Sequence, residues 1–143
     1  MHLSTKHLDR CILTLERSLA ELRRAPVDSI EREIFRNATV KGFELTLETA
    51  GKLLRKGLKT YTGTPRAVDE LTYKDVLRHA AKHGLLETSA VERWFAYRDN
   101  RNDTAHDYGE SFAEETLALL PDFIADARRV ETALREKFGH GNA

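Results

Sequence analysis

Cysteine is nearly missing from this chain: Cys11 stands alone, which excludes an internal disulfide and any zinc site built on several thiolates. Lying among Leu8, Ile12 and Leu15, it reads as a small buried hydrophobe. Proline is scarce, with three residues, so few helix breaks are forced on the backbone. No apolar run approaches the roughly 20 residues of a membrane span. The start, Met1-His2-Leu3-Ser4-Thr5-Lys6, does not read as a signal peptide, and a cytoplasmic protein without a membrane partner is expected. An excess of either charge is also missing, because Lys plus Arg and Asp plus Glu number 23 each. A nucleic-acid partner would therefore have to be held by a local patch, not by an overall basic field.

What is present is a high load of Leu, Ala, Glu, Lys and Arg in helical periods, over 143 residues that fit one domain spanning 1–143. A first helix is predicted from Ser4 to Arg24, with Leu8, Ile12, Leu15, Leu19 and Leu22 on one face and Pro26 ending it. Asp28 and Ser29 then offer a cap, with the acid as N-cap, for a long second helix to about Lys59. Its stripe is predicted to open at Ile30, Ile34 and Ala38 and to continue through Val40, Phe43, Leu47, Ala50 and Leu54. Gly42 inside it marks a bend or a close helix contact. Thr60 to Leu71 reads as a loop, and Thr72 caps a short third helix that ends at His83 with Gly84 beyond. His79 and His83, one turn apart, have the spacing of a metal pair, but no acid or cysteine accompanies them. They read as a solvated helix end, and no metal or cofactor is expected. Ser89 and Glu92 form an S-x-x-E capping box, and Ser111 and Glu114 another. The last helix carries Ala113, Leu117, Leu120, Ile124, Ala127, Leu134 and Phe138, with Pro121 expected to kink or divide it. The sum is an all-α, up-and-down four-helix bundle with one short additional helix.

The helix between the two boxes carries the functional signal. Val91, Trp94 and Phe95 make an apolar face, and the same face runs on into Arg98, Arg101, Asn102, Ala105 and His106. Guanidinium, amide and imidazole groups buried without partners cost several kcal/mol each, so this stretch should face a cleft, a partner or a second copy of the chain. Arg36-Asn37 repeats the Arg-Asn dipeptide without a following histidine, so the dipeptide alone carries nothing.

Histidine takes and returns protons near neutral pH, and an arginine fork suits a phosphate. His106 and Arg101 could thus cleave RNA without metal, His106 as base toward a ribose 2′-OH and Arg101 stabilising phosphoryl charge, with Asn102 orienting either group. Arg98 is a supporting phosphate contact. At about 100° per residue, Asn102 and His106 share a face, while Arg101 points about 140° away from His106 and shares its face with Tyr108. A composite site made by two protomers meets that spacing more readily, so a homodimer is expected.

Arg101-Asn102-Asp103-Thr104-Ala105-His106 resembles the R-N-x-x-x-H motif of HEPN domains, and with Tyr108 it is similar to the R-x4-H-x-Y form of HepT-type toxins. Phe43-Glu44-Leu45-Thr46-Leu47-Glu48-Thr49-Ala50-Gly51-Lys52 resembles the F-E-x-x-x-E-x-x-x-K segment of nucleotidyltransferase substrate-binding proteins. Gly42 and Gly51 depart from the bulkier residues usual there. The resemblance implies a dimerising helical bundle encoded beside a minimal nucleotidyltransferase. It implies a toxin ribonuclease with Arg101 and His106 catalytic and Asn102 assisting, and with Tyr108 as the acceptor through which adenylylation by that partner silences it. The alternative it implies is a non-catalytic subunit that binds substrate for the nucleotidyltransferase.

Overall fold

The computed structural model describes residues 2–104 and 110–139, and the side chains of residues 2–101 and 113–139. Over these residues the protein is an all-α bundle with no strand. Its helices are α1 (Lys6–Arg24), α2 (Ile30–Leu58), α3 (Pro65–Asp69), α4 (Tyr73–Lys82), α5 (Val91–Thr104) and α6 (Glu110–Phe138). Among the described residues no helix is long and apolar enough to cross a membrane.

α1 buries the predicted stripe Leu8, Ile12, Leu15, Leu19 and Leu22, together with Cys11, whose Sγ lies 3.9 Å from Thr49 Oγ1. The chain turns at Pro26 and re-enters a helix at Ser29, whose Oγ accepts from the Arg32 amide at 3.1 Å. Ser29 is thus the cap in place of Asp28, which takes a left-handed φ of 64° in the turn. The α2 stripe is buried as predicted at Phe43, Leu47, Ala50 and Leu54, but its predicted opening is not. Ile30 and Ile34 are exposed at 66% and 56%, and Ala38 is exposed as well. Phe35 and Thr39 take the inward place at that end, and Thr46 joins the predicted residues further along. Gly42 marks a close helix contact: a Cβ there would meet Leu15 Cδ1 at 3.3 Å, so the α1–α2 seam closes on that glycine. Thr39 and Thr46 escape a hydrophobic reading, yet their hydroxyls donate to the Phe35 and Gly42 carbonyls at 2.6 and 2.7 Å and their bodies pack inward.

The stretch Thr60–Leu71 is not a bare loop. A 3-10 turn over Lys59–Tyr61 extends α2, and α3 starts with Pro65 at its first position and buries Val68. Arg55 holds the return by donating to the Val68 and Leu71 carbonyls at 2.6 and 3.1 Å. The bundle therefore has two short helices where one was expected. α4 begins as predicted, Thr72 Oγ1 accepting from the Asp75 amide at 3.2 Å. It ends in a Schellman motif on Gly84, with the Leu85 and Gly84 amides donating to the Ala80 and Ala81 carbonyls at 2.9 and 3.1 Å. His79 is exposed as expected, while His83 is half-buried, its ring stacked on Tyr61 at 4.3 Å and its carbonyl accepting from Lys137 Nζ at 2.9 Å.

α5 and α6 complete the four-helix set. Pro121 does not divide α6, which runs unbroken through it with the ring on the solvent side. The chain ends of the bundle are tied by Leu3 N–H to the Phe138 carbonyl at 3.0 Å and by Thr5 Oγ1 to Glu131 Oε2 at 3.2 Å.

Candidate functional site

The motif helix enters without the predicted serine cap. A 3-10 turn over Thr88–Ala90 precedes α5 and places Ser89 inside the turn, where its carbonyl accepts from Arg93. Likewise α6 already starts at Glu110, one residue ahead of Ser111.

What fixes α5 is its buried face. Trp94 and Tyr97 are fully buried and form edge-to-face contacts with each other at 5.6 Å and with Phe123 of α6 at 5.7 and 5.0 Å. Phe123 in turn meets Phe43 of α2 at 4.8 Å. The Tyr97 hydroxyl donates to Asp126 Oδ2 at 2.6 Å. Asp126, only 2% exposed, also receives Arg93 Nε and NH2 at 2.9 Å each and Arg129 NH1 at 3.0 Å. Burial pushes the Asp126 carboxyl up, but the Arg93 and Tyr97 hydrogen bonds and the Arg93 and Arg129 charges outweigh it, and its pKa lies below the ordinary carboxylate value. The same burial and the adjacent carboxylate raise the Tyr97 phenol above its usual range.

Two turns beyond Trp94, in the same helical register, stands Arg101, half-buried where the aromatic core ends. Its neighbour in the chain, Asn100, is held to α6: Asn100 Oδ1 accepts from the fully buried Thr116 Oγ1 at 3.0 Å. Arg98 lies on the α4 side, its guanidinium 4.8 Å from the centre of the Tyr73 ring. That ring rests on Gly51, where a Cβ would approach Tyr73 Cε2 to 2.9 Å. The Tyr73 hydroxyl is buried with no hydrogen-bond partner among the described residues. Burial raises its pKa, with Arg98 opposing. The structure thus brings Arg98 and Arg101 to one end of the α5 core face. Asn102 has its backbone in α5 but its side chain outside the described set, and His106 and Tyr108 lie outside the described residues altogether.

Sequence reading missed Arg93, Tyr97, Asp126 and the Thr116–Asn100 bond. A signal for one of them was present: Asp126 interrupts the stripe Phe123, Ala127, Val130, and an acid in a buried register calls for a cation. Among the described residues no group of three or more His, Cys, Asp or Glu side chains could hold a metal ion.

A family model described as nucleotidyltransferase substrate binding protein like matches residues 4–136. The chain belongs to this family. It is similar to a probable ribonuclease HepT of Haemophilus influenzae, 25% identical over 134 residues that span 91% of this chain and 90% of that protein. A solved Haemophilus influenzae protein, described as having the fold of a substrate binding domain of a nucleotidyltransferase, superposes with a TM-score of 0.82 at 25% identity. The match covers 92% of this chain and 99% of that one. A Thermus thermophilus crystal structure gives a TM-score of 0.63 at 28% identity, covering 85% and 98%. The family resemblance seen in Arg101–Tyr108 and in Phe43–Lys52 is borne out.

In this nucleotidyltransferase substrate-binding-like chain, the second of those segments is the α2 wall of the bundle. Phe43 meets the aromatic cluster, and Glu44 is buried with Lys41 Nζ at 3.8 Å from Oε2. Lys52 pairs with Glu48 on the outside at 3.4 Å, and Gly51 admits Tyr73.

Proposed function

We propose that the protein is a HEPN-type ribonuclease that cuts RNA without metal, acting as the toxin of a pair with a minimal nucleotidyltransferase. The observation that carries this reading is the placing of Arg98 and Arg101 at the end of the same helix face that Trp94, Tyr97 and Asp126 lock onto the bundle. Such anchoring lets two guanidinium groups meet a phosphate with little reorganisation. The similarity to a probable ribonuclease HepT over nine-tenths of both chains supports the same assignment.

In the proposed reaction His106 accepts the proton of a ribose 2′-OH. The O2′ atom attacks the adjacent phosphorus, the P–O5′ bond breaks, and the departing O5′ takes up a proton, leaving a 2′,3′-cyclic phosphate and a 5′-hydroxyl. Arg101 and Arg98 stabilise charge on the phosphoryl oxygens, and Asn102 orients the reacting groups. Two protomers supply the arginine and the histidine that one helix points apart, so the active form is a homodimer. Adenylylation of Tyr108 by the partner enzyme would place an anionic nucleotide beside these arginines and exclude RNA.

The test is cleavage of single-stranded RNA or tRNA in EDTA. His106→Ala should lose at least roughly a hundredfold in rate; equal rates for the two proteins would sink the ribonuclease reading and leave a substrate-binding subunit as the alternative. A mass gain of one AMP at Tyr108, after incubation with ATP, Mg²⁺ and the neighbouring nucleotidyltransferase, checks the partner assignment.

A further inference from the structure

Among the described residues, the cations on two sides of the bundle are held differently. On the α6 side they are neutralised by acids: Arg93 and Arg129 by Asp126, Arg128 by Glu16, Arg135 by Glu131. On the α4–α5 side they sit on aromatic faces. Lys74 Nζ lies 5.2 Å and the Arg78 guanidinium 5.1 Å from the centre of the Phe95 ring, and Arg98 lies 4.8 Å from that of Tyr73. Lys74 and Arg98 meet no carboxylate among the described residues, while Arg78 shares itself with Asp75 at 2.9 Å.

The difference matters for an anionic ligand. A carboxylate cancels a cation's field, whereas a ring holds the cation in place through its quadrupole and leaves the net charge undiminished. Lys74 and Arg78 are exposed, and Arg98 and Phe95 are half-buried beside them. Phe95 and Arg98 are one turn apart on α5, and Arg101 is the next turn on. A chain of zero net charge therefore carries a file of aromatic-seated cations that leads along α4 and α5 toward the motif.

We propose that this α4–α5 face is the RNA track of the protein: the phosphate backbone of single-stranded RNA lies across Lys74, Arg78 and Arg98 before reaching Arg101. The proposal rests on the ribonuclease reading for the identity of the ligand. Recognition along it is of phosphates, because the groups it presents to solvent are the cations Lys74 and Arg78.

The test measures binding of a labelled oligouridylate by fluorescence anisotropy across a salt series, in a His106→Ala background so that the RNA stays intact. Lys74→Gln/Arg78→Gln should weaken binding roughly tenfold at low salt and flatten the log–log salt slope by about 0.7 for each phosphate left without its cation. Arg17→Gln/Arg24→Gln, which removes the same charge from α1, should change neither. Unchanged affinity and slope in the α4 variant, or an equal loss in the α1 variant, would overturn the track. If the protein with His106 intact cuts RNA while the α4 variant binds normally, the track falls and the ribonuclease reading stands. If it cuts none while the α4 variant loses binding, the reading falls and the track stands.

Discussion

Arg93 of α5 and Asp126 of α6 face each other with two parallel hydrogen bonds of 2.9 Å, and the Tyr97 hydroxyl closes the same carboxylate from the core side. The pair clamps the helix that carries Arg98 and Arg101 onto the bundle. Removing either partner leaves α5 held by the Trp94, Tyr97 and Phe123 contacts.

Asp126→Ala should lower stability by about 2–3 kcal/mol, less than for a wholly buried pair because Arg93 reaches solvent. Thermal unfolding followed by circular dichroism should show a midpoint lower by roughly 5–10 °C. Tyr97→Phe keeps the Arg93 bonds and should cost about 1–2 kcal/mol.

Acid should act through the same carboxylate. Its folded-state pKa lies below the ordinary 3.8, so its contribution to stability is full above that value and is lost as pH falls through the folded-state pKa. Urea midpoints measured from neutral pH downward should therefore hold and then fall below about pH 4. Asp126→Asn should flatten that part of the profile.

The alkaline side tests the phenols. Tyr73 and Tyr97 both have raised pKa values, chiefly from burial, so each favours the fold fully below the ordinary value of 10 and loses that contribution as pH rises toward its folded-state pKa. Absorbance titration of phenolate should lose a late component in Tyr73→Phe and another in Tyr97→Phe. Since the Tyr73 hydroxyl lacks a partner among the described residues, Tyr73→Phe should also leave stability unchanged or raise it by about 1 kcal/mol.

Gly51→Ala reads the support beneath Arg98. A gain of about 1 kcal/mol in helix propensity is opposed by about 1–3 kcal/mol of overpacking against the Tyr73 ring. A small net loss of stability is expected, with a fall of up to roughly tenfold in kcat/KM for RNA as Arg98 shifts with the ring. Unaltered kinetics in a folded variant would separate Tyr73 from the site.

Much of the architecture was legible because helices announce themselves locally. The Leu8–Leu22 stripe, the Thr72 cap and the Gly84 stop each depend on residues within a turn or two, and the structure has all three. The start of the α2 stripe was not legible, although Phe43, Leu47, Ala50 and Leu54 were. Ile30 and Ile34 look like core residues to any count of periodicity, whereas the inward face uses Thr39 and Thr46, whose hydroxyls are satisfied by their own helix. The motif helix shows the same division. Its polar turn was visible at Arg98 and Arg101, but the Asp126 clamp joins residues 33 apart in sequence.

The sequence by itself determined the helical class and the family, because periodicity, caps and short residue patterns are written within single helices. The tertiary structure alone decided which residues open the buried face of α2, which acid locks α5 and which cations sit on aromatic rings. Those outcomes depend on side chains from different helices meeting: Leu15 on Gly42, Tyr97 and Arg93 on Asp126, Arg98 on Tyr73. Burial and pairing across such seams belong to the assembled bundle, and no one helix carries them in its own pattern.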